Sequence, residues 1–259
     1  MLAFSSLLGN VEGQNIYRIW YDKPASYWEE ALPVGNGRIA AMVFGDPQLE
    51  QIQLNEETVS AGSPYQNYNE EAKTALPEMR RLIFEGKYEE AQNMAATKIL
   101  SQVGNEMPYQ TVGRLNIRYQ DHKKVNNYYR DLDISNAVAV TRYEVDGVEF
   151  TEETFASFTD QLVIRHIKAS KPGAINCELF FNTPMRDPKR SIYGKKGLRL
   201  EGITHGSRYF PGKVHYCADL DVKHKGGKVI TANDTLLSVQ GASELTLYIS
   251  MATNFVNYK

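Results

Sequence analysis

The sequence predicts a mainly β protein, a large antiparallel β-sandwich with an inserted helical hairpin. Three observations support this prediction. Short candidate strands follow one another from Gly113 to Ala252, Asp146-Gly147 is a two-residue hairpin-turn signal, and aromatic residues make up 11% of the chain, with 16 Tyr. Short strands separated by tight turns are typical of antiparallel sandwiches, and aromatic residues favour strands.

The candidate strands alternate apolar and polar residues and end at Gly, Asn or Pro turn signals. In the first part of the chain, strands are expected near 16–21, 39–44 and 52–54. In the second part they are expected at 113–119, 128–133, 137–145, 148–156, 161–169, 175–182, 197–204, 214–224, 229–232, 235–239 and 244–252. This succession favours one large sandwich over several small domains.

Between these two sets of strands the apolar residues recur at helical spacing. They are Ala72, Ala75, Leu76, Met79, Leu82 and Ile83, then, after Gly86, Tyr88, Ala91, Met94, Ala95 and Ile99. Asn69 can cap the first helix, although Pro77 favours a start nearer Thr74. We interpret the pair as an insertion packed between strands. The alternative is a helix pair that docks a partner.

The charge and hydropathy exclude two classes of partner. A net charge of -2 over 259 residues, with no clustered basic surface, argues against nucleic acid. No segment reaches the run of about 18 apolar residues that a membrane span needs. At 42% hydrophobic and 23% charged residues, the composition is typical of a soluble globular protein.

The N-terminus resembles the end of an export signal. Residues 1–9 are mostly apolar, and Val11 and Gly13 place small residues where a signal peptidase reads, before Gln14. We expect residues 1–13 to be the remnant of a longer signal peptide and 14–259 to be the domain. The protein is therefore expected to be exported to the periplasm or the extracellular space.

The candidate site lies in residues 33–62. Gly35, Asn36 and Gly37 form a tight-turn signal before Arg38 and a strand of small apolar residues. A second, alternating strand then leads into four polar side chains. The candidate ligand-binding residues of this stretch are Asn36, Arg38, Asn55, Glu56 and Thr58. Arg38 can bind sugar hydroxyls or pair with Glu56, and pairing is the favoured interpretation.

The residues alone define no reaction. Glu56 and Glu57 are adjacent, so on a strand they point to opposite faces and do not form the facing carboxylate pair of a glycoside hydrolase. Asp46 or Asp22 could complete such a pair. The five His show no metal-ligand spacing, and no nucleotide-binding motif occurs, so we expect no cofactor. Cys177 and Cys217 fit a disulfide or two buried thiols equally well.

Several segments resemble the N-terminal domain of family 95 glycoside hydrolases, the α-L-fucosidase-like enzymes. The resemblance extends in order and spacing from about Ile16 to Lys259. It rests on Trp20-Tyr-Asp-Lys-Pro-Ala, Trp28-Glu-Glu-Ala-Leu-Pro-Val-Gly-Asn-Gly-Arg, Gln53-Leu-Asn-Glu-Glu-Thr, Leu76-Pro-Glu-Met-Arg-Arg-Leu-Ile-Phe-Glu-Gly-Lys-Tyr and Pro108-Tyr-Gln-x-x-Gly. One position departs from the family pattern, since Val59 stands where an aromatic residue is usual.

The resemblance implies a β super-sandwich followed, in the same polypeptide, by a catalytic (α/α)6 barrel. Hydrolysis in the family is inverting and uses Glu, Asn and Asp residues of that barrel. None of the barrel motifs occurs here, so no catalytic residue is assigned. We expect the chain to belong to a longer polypeptide, to support the barrel and to form a rim of the site for a fucosylated glycan.

Three alternatives stay open. The longer enzyme could prefer α-L-galactosides, as some members of the family do, and the departure at Val59 leaves the specificity undecided. The chain could be a carbohydrate-binding module that acts alone. It could also be a catalyst alone, which the missing acid–base pair argues against.

Overall fold

The structure, a computed structural model, describes residues 17–63, 66–101, 107–206 and 210–257. The predicted signal-peptide remnant, residues 1–13, lies outside the described residues. The described strands, in chain order, are β1 (Arg18–Tyr21), β2 (Leu32–Gly35), β3 (Ile39–Val43), β4 (Leu49–Glu56), β5 (Gly113–Tyr119), β6 (Val125–Asp133), β7 (Val138–Val145), β8 (Val148–Ser157), β9 (Leu162–Ala169), β10 (Ile175–Asn182), β11 (Arg186–Tyr193), β12 (Gly197–Ile203), β13 (His215–Lys225), β14 (Lys228–Asn233), β15 (Leu236–Ala242) and β16 (Glu244–Thr253).

These strands form two antiparallel sheets. One has nine strands in the order β1-β6-β7-β8-β9-β16-β13-β12-β11, and the other has seven in the order β14-β15-β10-β5-β4-β3-β2. Alternate residues of each strand point into the space between the sheets, as the pattern along β16 shows, where Leu245, Leu247 and Ile249 are fully buried. The predicted mainly β sandwich is confirmed.

The predicted hairpin turn at Asp146-Gly147 is also confirmed. Val145 pairs with Val148, and the two turn residues have φ of 49° and 71°. Two successive positive φ values match the right-handed twist of the flanking strands, which is why an Asp-Gly pair favours this turn. The two cysteines lie in different sheets, Cys177 on β10 and Cys217 on β13, and both are free thiols.

Two strands escaped the sequence prediction, the short β2 and β11. β11 lies at the edge of the nine-stranded sheet and pairs only with β12 among the described strands. Most of its residues are exposed, and the register shifts between Arg186 and Lys189, around Pro188. A polar edge strand shows no apolar alternation, and Pro is tolerated there because its missing N–H faces no partner strand.

The helical segment begins earlier than Pro77 suggests. Helix α1 spans Ala72–Phe84 and α2 spans Tyr88–Met94, and a π-helical turn continues to Ile99. The start nearer Thr74 is therefore wrong, and Pro77 lies within α1. Asn69 lies just outside the helix, where its Oδ1 accepts a hydrogen bond from the Glu71 N–H at 3.0 Å. None of the described helices is long and apolar enough to cross a membrane.

The helices pack on each other, and among the described elements no strand has more than isolated contacts with them. We call residues 67–101 the helical arm. Its base is closed by Asn69 Nδ2, which donates to the carbonyls of Thr97 (3.3 Å) and Leu100 (3.4 Å). Ala75, Leu82 and Ala91 are buried within it, whereas Phe84 is 88% exposed. The predicted helical hairpin inserted between strands is confirmed, and its buried residues pack within the arm.

A charged network lies in the core between the sheets. The Arg165 guanidinium on β9 is fully buried and pairs with Glu50 of β4 at 3.0 Å and with Glu152 of β8. Tyr119 and Tyr143 donate hydroxyl hydrogen bonds to Glu152 Oε1 at 2.5 and 2.9 Å. The network joins both sheets, and each of its charged groups lies beside an opposite charge, as buried charges require, while Arg165 Nε has no hydrogen-bond partner among the described residues.

Candidate functional site

The turn between β2 and β3 is built by the Asn36 side chain. Asn36 Oδ1 accepts hydrogen bonds from the backbone N–H groups of Arg38 (3.1 Å) and Ile39 (2.9 Å), and Gly37 has a φ of 94°. An Asn that binds the backbone beyond it, followed by a residue with positive φ, explains why Gly35-Asn-Gly folds as a tight turn.

The other end of the Asn36 amide binds the opposite sheet. Its Nδ2 donates to the Ser157 carbonyl at 2.9 Å and to Gln161 Oε1 at 3.3 Å, at the connection between β8 and β9. Both polar atoms of Asn36 are therefore used within the protein. In this conformation Asn36 fixes the turn and offers no group to a ligand.

Arg38 and Glu56 form an ion pair at the end of the sandwich. Ile39 lies opposite Glu56 in the β3–β4 register, which brings the adjacent Arg38 close to the carboxylate. Arg38 Nε is 3.6 Å from Glu56 Oε1, and Arg38 Nη2 donates to the Met251 carbonyl of β16 at 3.2 Å. The pairing interpretation of Arg38 is confirmed, and its side chain is still 38% exposed.

Thr58 completes the partners of the Glu56 carboxylate. The backbone N–H and the hydroxyl of Thr58 both donate to Glu56 Oε2, at 2.7 and 2.6 Å. The Thr58 hydroxyl also contacts the hydroxyl of Thr253, at the end of β16. Glu56 is only 2% exposed, so these contacts satisfy a buried charge and connect the seven-stranded sheet to the nine-stranded one.

Tyr109 covers one side of this group of residues. Its hydroxyl donates to the Glu56 carbonyl at 3.0 Å, and its backbone forms an isolated bridge with Ser60 at the base of the helical arm. Partial burial, with the nearby Glu56 and Glu57 charges, raises the pKa of the Tyr109 phenol. The side chain is 54% exposed, so its ring is available to a ligand or partner. We call Asn36, Arg38, Glu56, Thr58, Tyr109 and Thr253 the end cluster.

Asn55 lies apart from the end cluster. It precedes Glu56 on β4 and points to the opposite face, opposite Ala40 in the register. Its Oδ1 is buried without a hydrogen-bond partner among the described residues. The structure therefore brings together four of the five candidate residues, and it places the fifth on the outer face of the seven-stranded sheet.

The end cluster does not contain a hydrolytic carboxylate pair. Glu57 is exposed, whereas Glu56 is buried. Asp46 precedes the eight-residue strand β4 and Glu56 ends it, so about 23 Å of extended chain separates them. Paired catalytic carboxyl groups lie about 5–9.5 Å apart. Asp22, which lines the same cleft as Asp46, is excluded as a partner for the same reason.

Metal binding finds no support in the described part of the chain, where no three His, Cys, Asp or Glu side chains are grouped to hold an ion. The structure also explains the position of Val59, which stands where an aromatic residue is usual in the family pattern. Val59 is fully buried, so in this structure its side chain does not face a ligand. The argument that this position determines sugar specificity therefore has no support here.

The sequence analysis missed the residues on the side of the nine-stranded sheet that contact the end cluster, together with its member Thr253. Met251, Thr253, Ser157 and Gln161 are 121 to 213 residues away from their partners in the chain. Contacts at that separation leave no local pattern. Strand parity, in contrast, would have placed Glu56 inside, because Ile52, Leu54 and Glu56 alternate on one face of β4.

Comparison with known proteins assigns the family. The model of the family described as "Glycosyl hydrolase family 65, N-terminal domain" matches residues 19–258. The chain belongs to this family. The resemblance to the N-terminal domain of a fucosidase-like glycoside hydrolase is thereby confirmed, and the matching family carries the number 65.

Three curated relatives have names that refer to fucosidases. "Alpha-L-fucosidase 2" of Arabidopsis thaliana is 31% identical over 271 residues, which cover 95% of this chain and 31% of that protein. "Probable alpha-fucosidase A" of Aspergillus oryzae is 25% identical and covers 96% of this chain and 35% of its own length. The protein of the same name from Aspergillus niger is 26% identical over 162 residues, which cover 59% of this chain and 20% of that protein. The chain spans at most about a third of these relatives.

Proposed function

We propose that this chain is the non-catalytic N-terminal domain of an exported, inverting glycoside hydrolase that removes terminal α-L-fucose from glycans. In this proposal the domain supports a catalytic domain of the same polypeptide. The end cluster forms one rim of the active site, and the acid and base lie in the catalytic domain.

The relatives support the separation of a non-catalytic domain from a catalytic one. The matching family is described as an N-terminal domain, and the chain covers 31% of the Arabidopsis α-L-fucosidase. The described residues of this chain offer no carboxylate pair near the end cluster, as the length of β4 shows. Both facts favour chemistry that is carried by a further domain.

The contact between Thr58 and Thr253 is the observation that carries the rim assignment. Thr253 ends β16, the last of the described strands, so a polypeptide that continues after the matched region leaves the sandwich near the end cluster. Arg38 and Tyr109 are the members of the cluster that keep substantial exposed surface there. A guanidinium and a phenol can bind sugar hydroxyls and stack on a sugar ring.

The helical arm supports the same orientation. It leaves the sandwich directly after the end cluster, since Ser60 and Tyr109 pair at its base. Several large side chains of the arm are more than half exposed: Tyr68 63%, Phe84 88%, Tyr88 68% and Leu100 60%. Exposed apolar side chains mark an interaction surface where they adjoin one another. In the proposal the catalytic domain covers this surface.

The reaction is tested with the longer polypeptide that carries this domain. We expect it to hydrolyse an aryl α-L-fucoside and to release β-L-fucose first, which proton NMR detects before mutarotation. An aryl α-L-galactoside tests the alternative specificity. Residues 17–257 alone should be inactive, and turnover by this fragment would contradict a non-catalytic role.

The rim assignment is tested in the same polypeptide with Glu56→Ala, which releases Arg38 and Thr58 from their shared partner. We expect a loss in kcat/KM beyond any loss of stability. Glu57→Ala is the matched control, because Glu57 is exposed and next in sequence. If Glu56→Ala keeps both kcat/KM and stability, the rim role is wrong.

Export is tested separately by sequencing the mature N-terminus, which we expect at or near Gln14.

A further inference from the structure

A long groove follows β4 along the outer face of the seven-stranded sheet, the face opposite to the Glu56 side chain. It consists of three adjoining clefts with volumes of about 410, 650 and 330 Å³. The first two share Lys23, Pro24 and Asp46, and the last two share Arg114. Ligand sites typically measure about 300–1,000 Å³, so each cleft is large enough for a sugar ring and the three together for an oligosaccharide.

The walls of the groove are fixed by hydrogen bonds. One wall is the connection from β1 to β2, residues 22–31. The backbone N–H of Ala25 donates to the Phe44 carbonyl at 2.9 Å, and the buried Arg130 donates to the carbonyls of Lys23 (2.8 Å) and Glu30 (2.7 Å). The groove therefore exists before any ligand binds, which lowers the entropic cost of binding.

Two large aromatic side chains line the middle cleft and remain open to solvent. Tyr27 is 57% exposed and Trp28 is 50% exposed. Phe44 lies in the same cleft. An aromatic face next to a polar group suits the apolar C–H face of a sugar ring, because the ring stacks while its hydroxyls reach the polar side chains.

Arg114 marks the boundary between the middle cleft and the last one. Its Nη1 donates to Gln51 Oε1 at 2.7 Å, and its guanidinium lies 5.9 Å from the centre of the Phe44 ring. These contacts hold the guanidinium and engage one of its five N–H donors. Asn182 is opposite Arg114 in the β5–β10 register and lines the last cleft together with Gln53. The groove thus presents amides and a guanidinium in series.

The charges along the groove balance. Lys23 and Arg114 supply two positive charges, and Asp22 and Asp46 supply two negative ones. A phosphorylated or sulphated ligand would favour an excess of cations, and a basic peptide an excess of anions. A neutral ligand rich in hydroxyl groups fits this balance best.

We propose that this groove binds a neutral oligosaccharide, with sugar rings stacked on Tyr27 and Trp28 and hydroxyl groups bound to Arg114. The site is separate from the end cluster, because Gln51 and Gln53 point to the outer face of β4 and Glu56 points to the inner face. It is independent of the proposed hydrolase function. Only the choice of a fucosylated probe rests on that function.

These 259 residues contain two Trp, which allows a direct test on this chain. Trp20 is the matched control because it is 61% exposed on β1 and stacks on Tyr129 with ring centres 6.3 Å apart, outside the groove. Trp20→Phe leaves Trp28 as the single reporter, and Trp28→Phe leaves Trp20. Each variant is titrated with fucosyllactose and with lactose to millimolar concentrations while the Trp emission is recorded.

We expect a saturable change in the emission of the Trp20→Phe variant with at least one of the two sugars, and none in the Trp28→Phe variant. Arg114→Ala, made in the Trp20→Phe background, should weaken binding about tenfold, as loss of a hydrogen bond to a charged group does. Arg118→Ala is its control, because Arg118 pairs with Glu178 at 3.0 Å and lines none of the three clefts.

Three results would overturn the proposal. They are no saturable change with either sugar, equal changes in both single-Trp variants, or an Arg118→Ala effect as large as that of Arg114→Ala. Activity of the longer polypeptide on an aryl fucoside does not enter any of these outcomes. The groove and the hydrolase function can therefore fail separately.

Discussion

Arg165 on β9 and Glu50 on β4 form a fully buried ion pair of 3.0 Å between two strands that belong to different sheets. The residues are 115 positions apart in the sequence. Glu152 of β8 binds the same guanidinium nitrogen. One buried cation thus faces two carboxylates, and this imbalance determines how the core responds to mutation and to pH.

Replacing the cation should be more damaging than losing a surface ion pair. Arg165→Met leaves Glu50 and Glu152 buried without their cation, which typically costs about 3–5 kcal/mol of stability. We expect a loss of this size in urea unfolding at pH 7. Arg118→Met is the control, because Arg118 pairs with Glu178 at 3.0 Å on the surface, where a pair contributes about 1 kcal/mol or less. Equal losses in the two variants would contradict a structural role for the buried pair.

The buried carboxyl group of Glu50 predicts that the stability of the protein depends on pH. Burial raises the pKa of Glu50 from 4.5 to about 7, although Arg165 lowers it in part. The folded state therefore keeps a proton that the unfolded chain has lost, and the free energy of unfolding falls as pH rises from about 4.5 to about 7. A pKa difference of this size between the folded and unfolded states corresponds to about 3 kcal/mol of stability.

Glu50→Gln isolates this effect from that of a neighbouring histidine. Burial lowers the pKa of His122 below its ordinary 6.5, so His122 makes stability rise with pH as the pH approaches 6.5 from below. The variant removes the first effect and keeps the second. Urea unfolding at pH 5 and pH 8 should show that the wild-type stability, relative to Glu50→Gln, falls with pH. Parallel pH profiles for the two proteins would show that Glu50 is ionised throughout.

The fold could be predicted because its strands carry their own signals. The alternation along β8 and β16 and the Asp146-Gly147 turn are local, and the structure has all three. β11 could not be found this way, because an exposed edge strand buries neither face. The helices were found, but their packing was not. An apolar stripe shows that a helix needs a partner without showing where the partner is.

The buried network had a signal that the sequence analysis did not use. On β4, Glu50 alternates in step with Ile52 and Leu54, so its side chain points inward. On β9, Arg165 points inward with Val163 and Ile167. Opposite charges at inward positions of different strands predict a buried pair. The partners across the end cluster had no such signal, because Thr253 and Met251 lie in an ordinary alternating strand.

The end cluster should contribute to the stability of the domain. Thr58→Val keeps the shape of the side chain and removes the hydroxyl that binds Glu56 at 2.6 Å and contacts Thr253. The buried carboxylate keeps the backbone N–H of Thr58, so we expect a loss of about 1–2 kcal/mol in urea unfolding. Thr151→Val on β8 is the control, because it is only partly buried, and it should change stability by less than about 0.5 kcal/mol. A Thr58→Val variant as stable as the wild type would show that the two sheets do not depend on this contact.

The helical arm should tolerate a polar residue at its most exposed position. Phe84 is 88% exposed at the end of α1, so Phe84→Ser removes apolar surface that nothing covers among the described residues. We expect an unchanged Tm, together with weaker binding of the dye ANS, which reports exposed apolar surface. Phe181→Ser is the matched control, because Phe181 is 3% exposed in the core and its loss should cost about 3–5 kcal/mol. A Tm that falls as far in Phe84→Ser as in Phe181→Ser would show that the arm packs on the sandwich, and unchanged dye binding would show that Phe84 is not part of an open apolar surface.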